Sequence, residues 1–271
     1  MTLTEIIFIL TGTCVVLFFG GKLVFLVMML APKLCYPLPD SFFTSLGKWA
    51  VVTGGSDGIG RAYAQELSKH GMNVVIISRN QEKLDRAARK IVNNVGILPN
   101  QIPCKLLETA DLEERIHAVI NCNVKAMVKM CRIVLPGMQE KGRGVILNVS
   151  SGIAKIPCPI YTLYAASKVF GERFSQGLQA EYKSKGIIIQ TVAPFGVSTS
   201  MTGYQNPDMV TFTAEEFVRS SLKYLKAGDQ TCGSVTHTIL SWIVQAIPIW
   251  VLQSEAFQHH FKEYVKERIK G

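Results

Sequence analysis

Three residues near the middle of this 271-residue chain have types and spacing suited to proton transfer at a carbonyl or hydroxyl oxygen. The run Gly144-Val145-Ile146-Leu147-Asn148-Val149 reads as a buried strand ending in Ser150-Ser151-Gly152. Tyr164 follows Ser151 by thirteen residues, and Lys168 follows Tyr164 by four. Residues four apart share a helix face, so the Lys168 ammonium can sit beside the Tyr164 phenol. A free phenol, with a pKa near 10, is a poor acid or base at neutral pH. A neighbouring cation lowers that value and makes proton exchange with a substrate oxygen practical. Ser151, at a strand end, can hydrogen-bond the same oxygen as charge develops on it. A Tyr and a Lys four apart recur by chance; the Ser thirteen residues ahead is what makes the set specific. Tyr161 fails the same test because position 165 is Ala.

A hundred residues earlier lies a cradle for phosphates. Ala50-Val51-Val52 reads as a short buried strand, and Thr53-Gly54-Gly55-Ser56-Asp57-Gly58-Ile59-Gly60 follows at once. A helix over about 61–70 and a second strand, Asn73 to Ser78, complete the unit. Gly54 allows the tight turn, Gly58 lets backbone approach a pyrophosphate, and Gly60 lets the helix pack closely on the strand. The phosphates would lie at the helix N-terminus, where unpaired N–H groups favour negative charge. The second strand ends in Ser78-Arg79 with no acid, which suits the 2′-phosphate of NADPH over the ribose hydroxyl of NADH. An Arg79 that simply faces solvent is the alternative.

These motifs sit behind an apolar leader. Ile6 to Gly21 is uncharged, and after Lys22 the apolar run resumes from Leu23 to Ala31. A spanning helix needs about 20 such residues, and Lys22 can snorkel to an interface. The early charge is Glu5 and the Lys residues follow, which disfavours a cleaved signal and puts the bulk of the chain in the cytosol. The expected organisation is a membrane anchor over 1–35, a stiff linker over 36–48, and one domain over 49–271. A second apolar stretch, 239–252, is too short to span; it is either a core helix or one lying in the interface. The net charge of +9 resides entirely beyond residue 47, which suits anionic lipid or a phosphorylated cofactor. No cluster of Arg and Lys interleaved with aromatics points to nucleic acid. Seven scattered cysteines without a C-x-x-C pair argue against a disulfide framework and a structural metal site.

Taken together, residues 49–200 resemble the short-chain dehydrogenase/reductase family. The resemblance rests on Thr-Gly-x-x-x-Gly-x-Gly at 53–60, Asn93-Asn94-Val95-Gly96, Asn123 within a helix, Ser151, Tyr164 and Lys168. It implies catalytic roles for Asn123, Ser151, Tyr164 and Lys168, with Asn123 bending its helix to hold a proton-relay water. It implies that Asn93 supports the adenine side, that Lys168 bonds the nicotinamide ribose, and that Pro194, Val197 and Thr199 close over the nicotinamide. The family's usual Pro-Gly is here Pro194-Phe195-Gly196. The anchor, Ile153-Ala154, the run 197–202, Thr213 to Phe217 and Thr231-Cys232-Gly233 extend the likeness to the family's membrane-bound hydroxysteroid dehydrogenases. That branch implies an NADPH-dependent 17-ketosteroid reductase of the endoplasmic reticulum membrane, with an androstenedione-like substrate and a possible homodimer. The very-long-chain 3-oxoacyl-CoA reductase branch is the runner-up.

One departure from the family is large. Only about a dozen residues separate Asn80 from Asn93, where the family has a third strand, a helix and most of a fourth strand. The acidic residue that ends the third strand is missing; Asp111-Leu112 imitates it but reads as a helix cap or surface. A return strand needs roughly five residues at about 3.3 Å each, which leaves about two helical turns for the outward leg. The expected fold is a three-layer doubly wound Rossmann-type parallel sheet lacking one or more strands, with an N-terminal membrane helix. The second strand should be a sheet edge with part of its apolar face bare.

Overall fold

The computed structural model describes residues 2–35, 38, 39, 41–78, 94 and 96–270. Helix α1 (Leu3–Cys35) contains an apolar stretch, Leu3–Val24, none of which is buried against the body. Within the segment expected to be a linker, Ser41–Leu46 forms α2, and Phe42 and Phe43 bury in the core. The second half of that segment therefore packs with the domain.

Strand β1 (Trp49–Thr53) leads through the glycine turn into α3 (Gly58–Lys69), and β2 (Asn73–Ile77) pairs with β1 in parallel. After the gap in the described residues come α4 (Leu112–Val119), one π-helical stretch (Ile120–Lys125) and α5 (Ala126–Lys141). Asp111 is the N-cap of α4, as its sequence context suggested. Strand β3 (Gly144–Val149), helix α6 (Thr162–Tyr182) and strand β4 (Ile187–Val192) form a second strand–helix–strand unit, and β3 and β4 pair in parallel. Two short strands, β5 (Gly196–Ser198) and β6 (Thr211–Thr213), pair with each other. Helix α7 (Ala214–Lys223) follows, and β7 (Gln230–Thr231) extends β4. The chain closes with α8 (Val235–Ala246), α9 (Ile249–Gln253) and α10 (Glu255–Lys270).

Alternation along the strands decides where the cores form. Ala50 and Val52 of β1, Val74 and Ile76 of β2, and Val145, Leu147 and Val149 of β3 join one core beneath α3 and α7, with Tyr63 and Phe217 wholly buried. Facing the other way, Ile146 of β3 and Ile187 and Ile189 of β4 bury under α5 and α6 beside Cys131, Leu135 and Phe174. Among the described residues, their neighbours in β1 and β2 have no such cover. Trp49, Val51, Val75 and Ile77 are 38–66% exposed. The bare face expected on the second strand is present, and it extends to the first.

Candidate active site

A cavity of about 820 Å³ runs from the β1–α3 turn to the C-terminal helices. The glycine turn forms its floor. Asp57 caps α3 by accepting a hydrogen bond from the Gly58 N–H, and the Gly54 N–H donates to Ile77 O at 2.7 Å. Gly54 and Gly58 both hold positive φ, which L side chains rarely adopt. A side chain at Gly60 would place its Cβ 2.4 Å from Gly54 O and 2.8 Å from Asn94 Nδ2. Helix α3 therefore packs against its own turn, and Gly58 and Ile59 at its start line the cavity together with Ser56 and Thr199. Gly96 leaves open the space beside Lys168, since a Cβ there would meet Nζ at 2.8 Å. A cradle of bare backbone ahead of a helix N-terminus fits the pyrophosphate of a dinucleotide. Arg79 and Asn93 lie outside the described residues. Their neighbours do line the cavity: Asn94 N–H donates to Thr53 O at 2.7 Å, and Ser78 Oγ lies 2.7 Å from Ser56 Oγ.

Above the floor, β3 delivers Ser151 and α6 delivers Tyr164 and Lys168 to one wall. Ser151 caps a short 3-10 turn, its Oγ accepting from the Ile153 N–H at 3.4 Å, and it hydrogen-bonds the Tyr164 hydroxyl. The Lys168 ammonium donates to Val149 O at 3.0 Å and lies 5.6 Å from the centre of the Tyr164 ring. Burial dominates both groups. It pushes the phenol up to about 12, against the opposing Ser151 hydrogen bond, and pulls the ammonium down to about 8. The expected lowering of the phenol by Lys168 is thus corrected: desolvation outweighs a cation aimed at a backbone carbonyl. The phenol is held in its neutral, proton-donating form.

Asn123 occupies the π-helical stretch, a local widening that recurs at functional positions. Its Oδ1 accepts from the Ile97 N–H at 2.8 Å, and its Nδ2 donates to Ile97 O at 3.1 Å and Ser167 Oγ at 2.9 Å. Ser167 Oγ in turn donates to Tyr164 O at 2.7 Å. Asn123 therefore ties the backbone beyond Gly96 to the turn of α6 that carries the phenol. Pro194 O accepts from the Gly152 N–H at 2.6 Å, and Val197 and Thr199 line the roof. Gly152 must lack a side chain because the Phe195 ring lies 2.5 Å from where its Cβ would be.

Two supporting features escaped the sequence reading. His237 is wholly buried among Phe195, Phe212 and Phe217, with Nε2 2.9 Å from Val210 O. Its Nδ1 accepts from the Phe195 N–H at 3.4 Å, so it pins the roof; desolvation lowers its pKa and keeps it neutral. Lys155 and Glu172 form a buried pair at 2.9 Å that fastens the turn after Ser151 to α6. A lone His in an apolar run and an ion pair seventeen residues apart carry no local pattern. Tyr161, set aside as a catalytic candidate, caps α6, donates to Gln101 O at 2.9 Å and walls the cavity. Among the described residues no His, Cys, Asp and Glu cluster could hold a metal, and the described cysteines are free thiols.

The short chain dehydrogenase profile matches residues 48–92 and 90–210. The chain belongs to the short-chain dehydrogenase family. Its 17-beta-hydroxysteroid dehydrogenase type 3 relative from Danio rerio is 73% identical, covering 99% of each chain. A very-long-chain 3-oxoacyl-CoA reductase from Macaca fascicularis is 37% identical over 82% of this chain and 84% of its own. A short-chain dehydrogenase from Sphingobium yanoikuyae, solved in complex with NADPH, shares the fold with a TM-score of 0.60. That structure is 23% identical and covers 68% of this chain and 87% of its own. Family membership sets the chemistry as oxidoreduction at a CH–OH carbon with a nicotinamide cofactor. The zebrafish alignment spans 304 positions against 271 residues here, so at least 33 positions face a gap in this chain. The family match is split in two at residues 90–92, which lie outside the described residues.

Proposed function

We propose that this chain is an NADPH-dependent 17-ketosteroid reductase that converts an androstenedione-like ketone to its 17β-alcohol. One observation carries the reading: the cavity joins the Tyr164 wall to an apolar chamber formed by Leu240, Val244, Phe257, Phe261 and Val265. Such a chamber suits a rigid, oxygen-poor substrate whose reacting ketone is its polar end. High identity to the zebrafish steroid dehydrogenase supports the same substrate class.

Gly54, Gly58 and Gly60 with the start of α3 would hold the pyrophosphate, Arg79 the 2′-phosphate, and Lys168 the nicotinamide ribose. Asn93 would support the adenine side, and Pro194, Val197 and Thr199 would cover the nicotinamide. When bound, the reduced nicotinamide supplies the hydride. Ser151 Oγ donates a hydrogen bond to the ketone oxygen, and Tyr164 Oη gives that oxygen its proton as negative charge builds on it. A neutral phenol is the form that this direction of reaction requires. The anchor spans the endoplasmic reticulum membrane with the domain in the cytosol, where NADPH is supplied.

The test is NADPH-dependent reduction of androstenedione by membranes that contain the full chain. Wild-type turnover should fall by about 10²–10⁴-fold in Tyr164→Phe, the range of a lost general acid. Reduction of a long-chain 3-oxoacyl-CoA in preference to the steroid would replace this substrate with that of the macaque relative. Absence of any reduction by well-expressed, inserted protein would mean a silent form whose nucleotide half is too truncated to hold NADPH.

A further inference from the structure

Between Asp229 and Glu255 the chain carries no Asp, Glu, Lys or Arg. This uncharged stretch forms α8 and α9, bent apart at Pro248. Its two sides have different surroundings. Leu240, Val244 and Ile247, spaced by four and three, line the cavity. Ile239 and Ile243, spaced by four, face outward with Ile249 and Trp250 beyond the bend, and Trp250 is 71% exposed. A contiguous outward apolar face of this kind marks a binding surface.

The occupant is indicated by the anchor. Lys22 lies within the apolar Leu3–Val24 stretch of α1, and its ammonium sits 4.5 Å from the Phe18 ring and 5.9 Å from the Trp242 ring. Apolar residues continue along the chain beyond Lys22 as far as Ala31. Helix α8 therefore meets the anchor within its apolar length. A cation inside an apolar run, the Trp242 beside it and the exposed Trp250 are groups that settle at the boundary between headgroups and acyl chains. Gln245 and Gln253 are the exposed polar side chains along this stretch and neither is charged, whereas a protein partner would meet a polar, partly charged rim.

We propose that the α8–α9 elbow seats in the phospholipid bilayer beside α1, with Ile239, Ile243, Ile249 and Trp250 in the acyl boundary. The chain then has two membrane contacts, one spanning and one lying in the interface. One helix, α8, separates the apolar end of the cavity from lipid. Resting on the proposed function, this places the substrate chamber next to the phase in which an apolar ketone dissolves.

Tryptophan quenching tests the seat without any need for turnover, so failure here and failure of the steroid reading are separate results. Full-length chain is reconstituted in phosphatidylcholine vesicles, with or without brominated acyl chains, and compared with Trp250→Phe and Trp49→Phe. These ring-for-ring changes at exposed positions leave the packing intact. Bromolipid should remove a large part of wild-type emission. That loss should shrink in Trp250→Phe and persist in Trp49→Phe. Emission from Trp250 that resists bromolipid but yields to aqueous acrylamide would overturn the proposal. Resistance to both quenchers, with crosslinking to a second copy, would overturn it in favour of a protein interface.

Discussion

The β1–β2 sheet and the β3–β4–β7 sheet are two halves of the fold with the same strand chemistry but different cover. In the half that carries Tyr164, α5 and α6 lie over Ile146, Ile187 and Ile189, and this second face is as dry as the first. In the half that carries the glycine turn, the corresponding face shows Trp49, Val51, Val75 and Ile77 to solvent. Parallel strands are normally buried on both sides, so apolar side chains on an uncovered face mark the loss of a covering element. Along the chain, the break in the family match at 90–92 falls between β2 and α4. The comparison separates two requirements. Proton-transfer geometry depends on β3, α6 and the roof, which are complete. In the proposed function, nucleotide affinity would depend on the β1–β2 ribbon, whose second face is exposed.

Stability measurements can break this comparison. The largest effect is expected at the packed face. Ile189→Ala, at a position with no exposure, should cost about 2–5 kcal/mol in denaturant titration. Glu172→Ala should cost about 1–3 kcal/mol, because it leaves the Lys155 ammonium with the 3.3 Å bond to Gln230 Oε1 in place of its carboxylate; no measurable loss would show that the pair does not fasten the Ser151 turn.

A smaller effect of opposite sign is expected at Lys168. Its pKa in the fold is about 8 against an ordinary 10.5, so unfolding takes up protons between these values. Wild-type stability should therefore rise as pH goes from about 8 toward 10, and the Lys168 contribution should be flat at its lower value below about 8. Lys168→Met should stabilise the chain at pH 7, by up to about 3 kcal/mol, while abolishing turnover. Equal melting temperatures for the two proteins at pH 7 would remove the buried charge from the account. Smallest of all should be Val75→Ala on the bare face, within about 0.5 kcal/mol. A cost there matching Ile189→Ala would mean that the face is covered in solution and that the two halves are alike.

What could be read from the chain alone follows the range of each interaction. The β1–α3–β2 unit and the Ser151, Tyr164 and Lys168 set are encoded within a few turns of backbone, where period and spacing are sufficient. The truncation was legible because strand and helix lengths are fixed, so a dozen residues cannot hold three elements. Burial energetics were not legible. The phenol rises to about 12 because distant segments exclude water around it, and no spacing rule reports that. Phe42 and Phe43 looked like linker residues because their partners, α3 and α7, are made by other parts of the chain. The role of Asn123 came only through resemblance. Its bonds to Ile97 and Ser167 show a strut between two segments, which an isolated Asn cannot announce.

The Tyr63 hydroxyl lies 2.5 Å from Ser221 Oγ, joining α3 to α7 across 158 residues of chain. During synthesis the first half of the fold must wait for that partner. At 5–20 residues per second, the ribosome takes roughly 8–30 s to make the intervening chain. Through that interval the β1–β2 ribbon shows apolar side chains on both faces, behind an N-terminal helix that is itself long and apolar enough to cross a membrane. Yield in a cell should therefore depend on whatever shields nascent chains at that surface, more than on the stability of the finished protein.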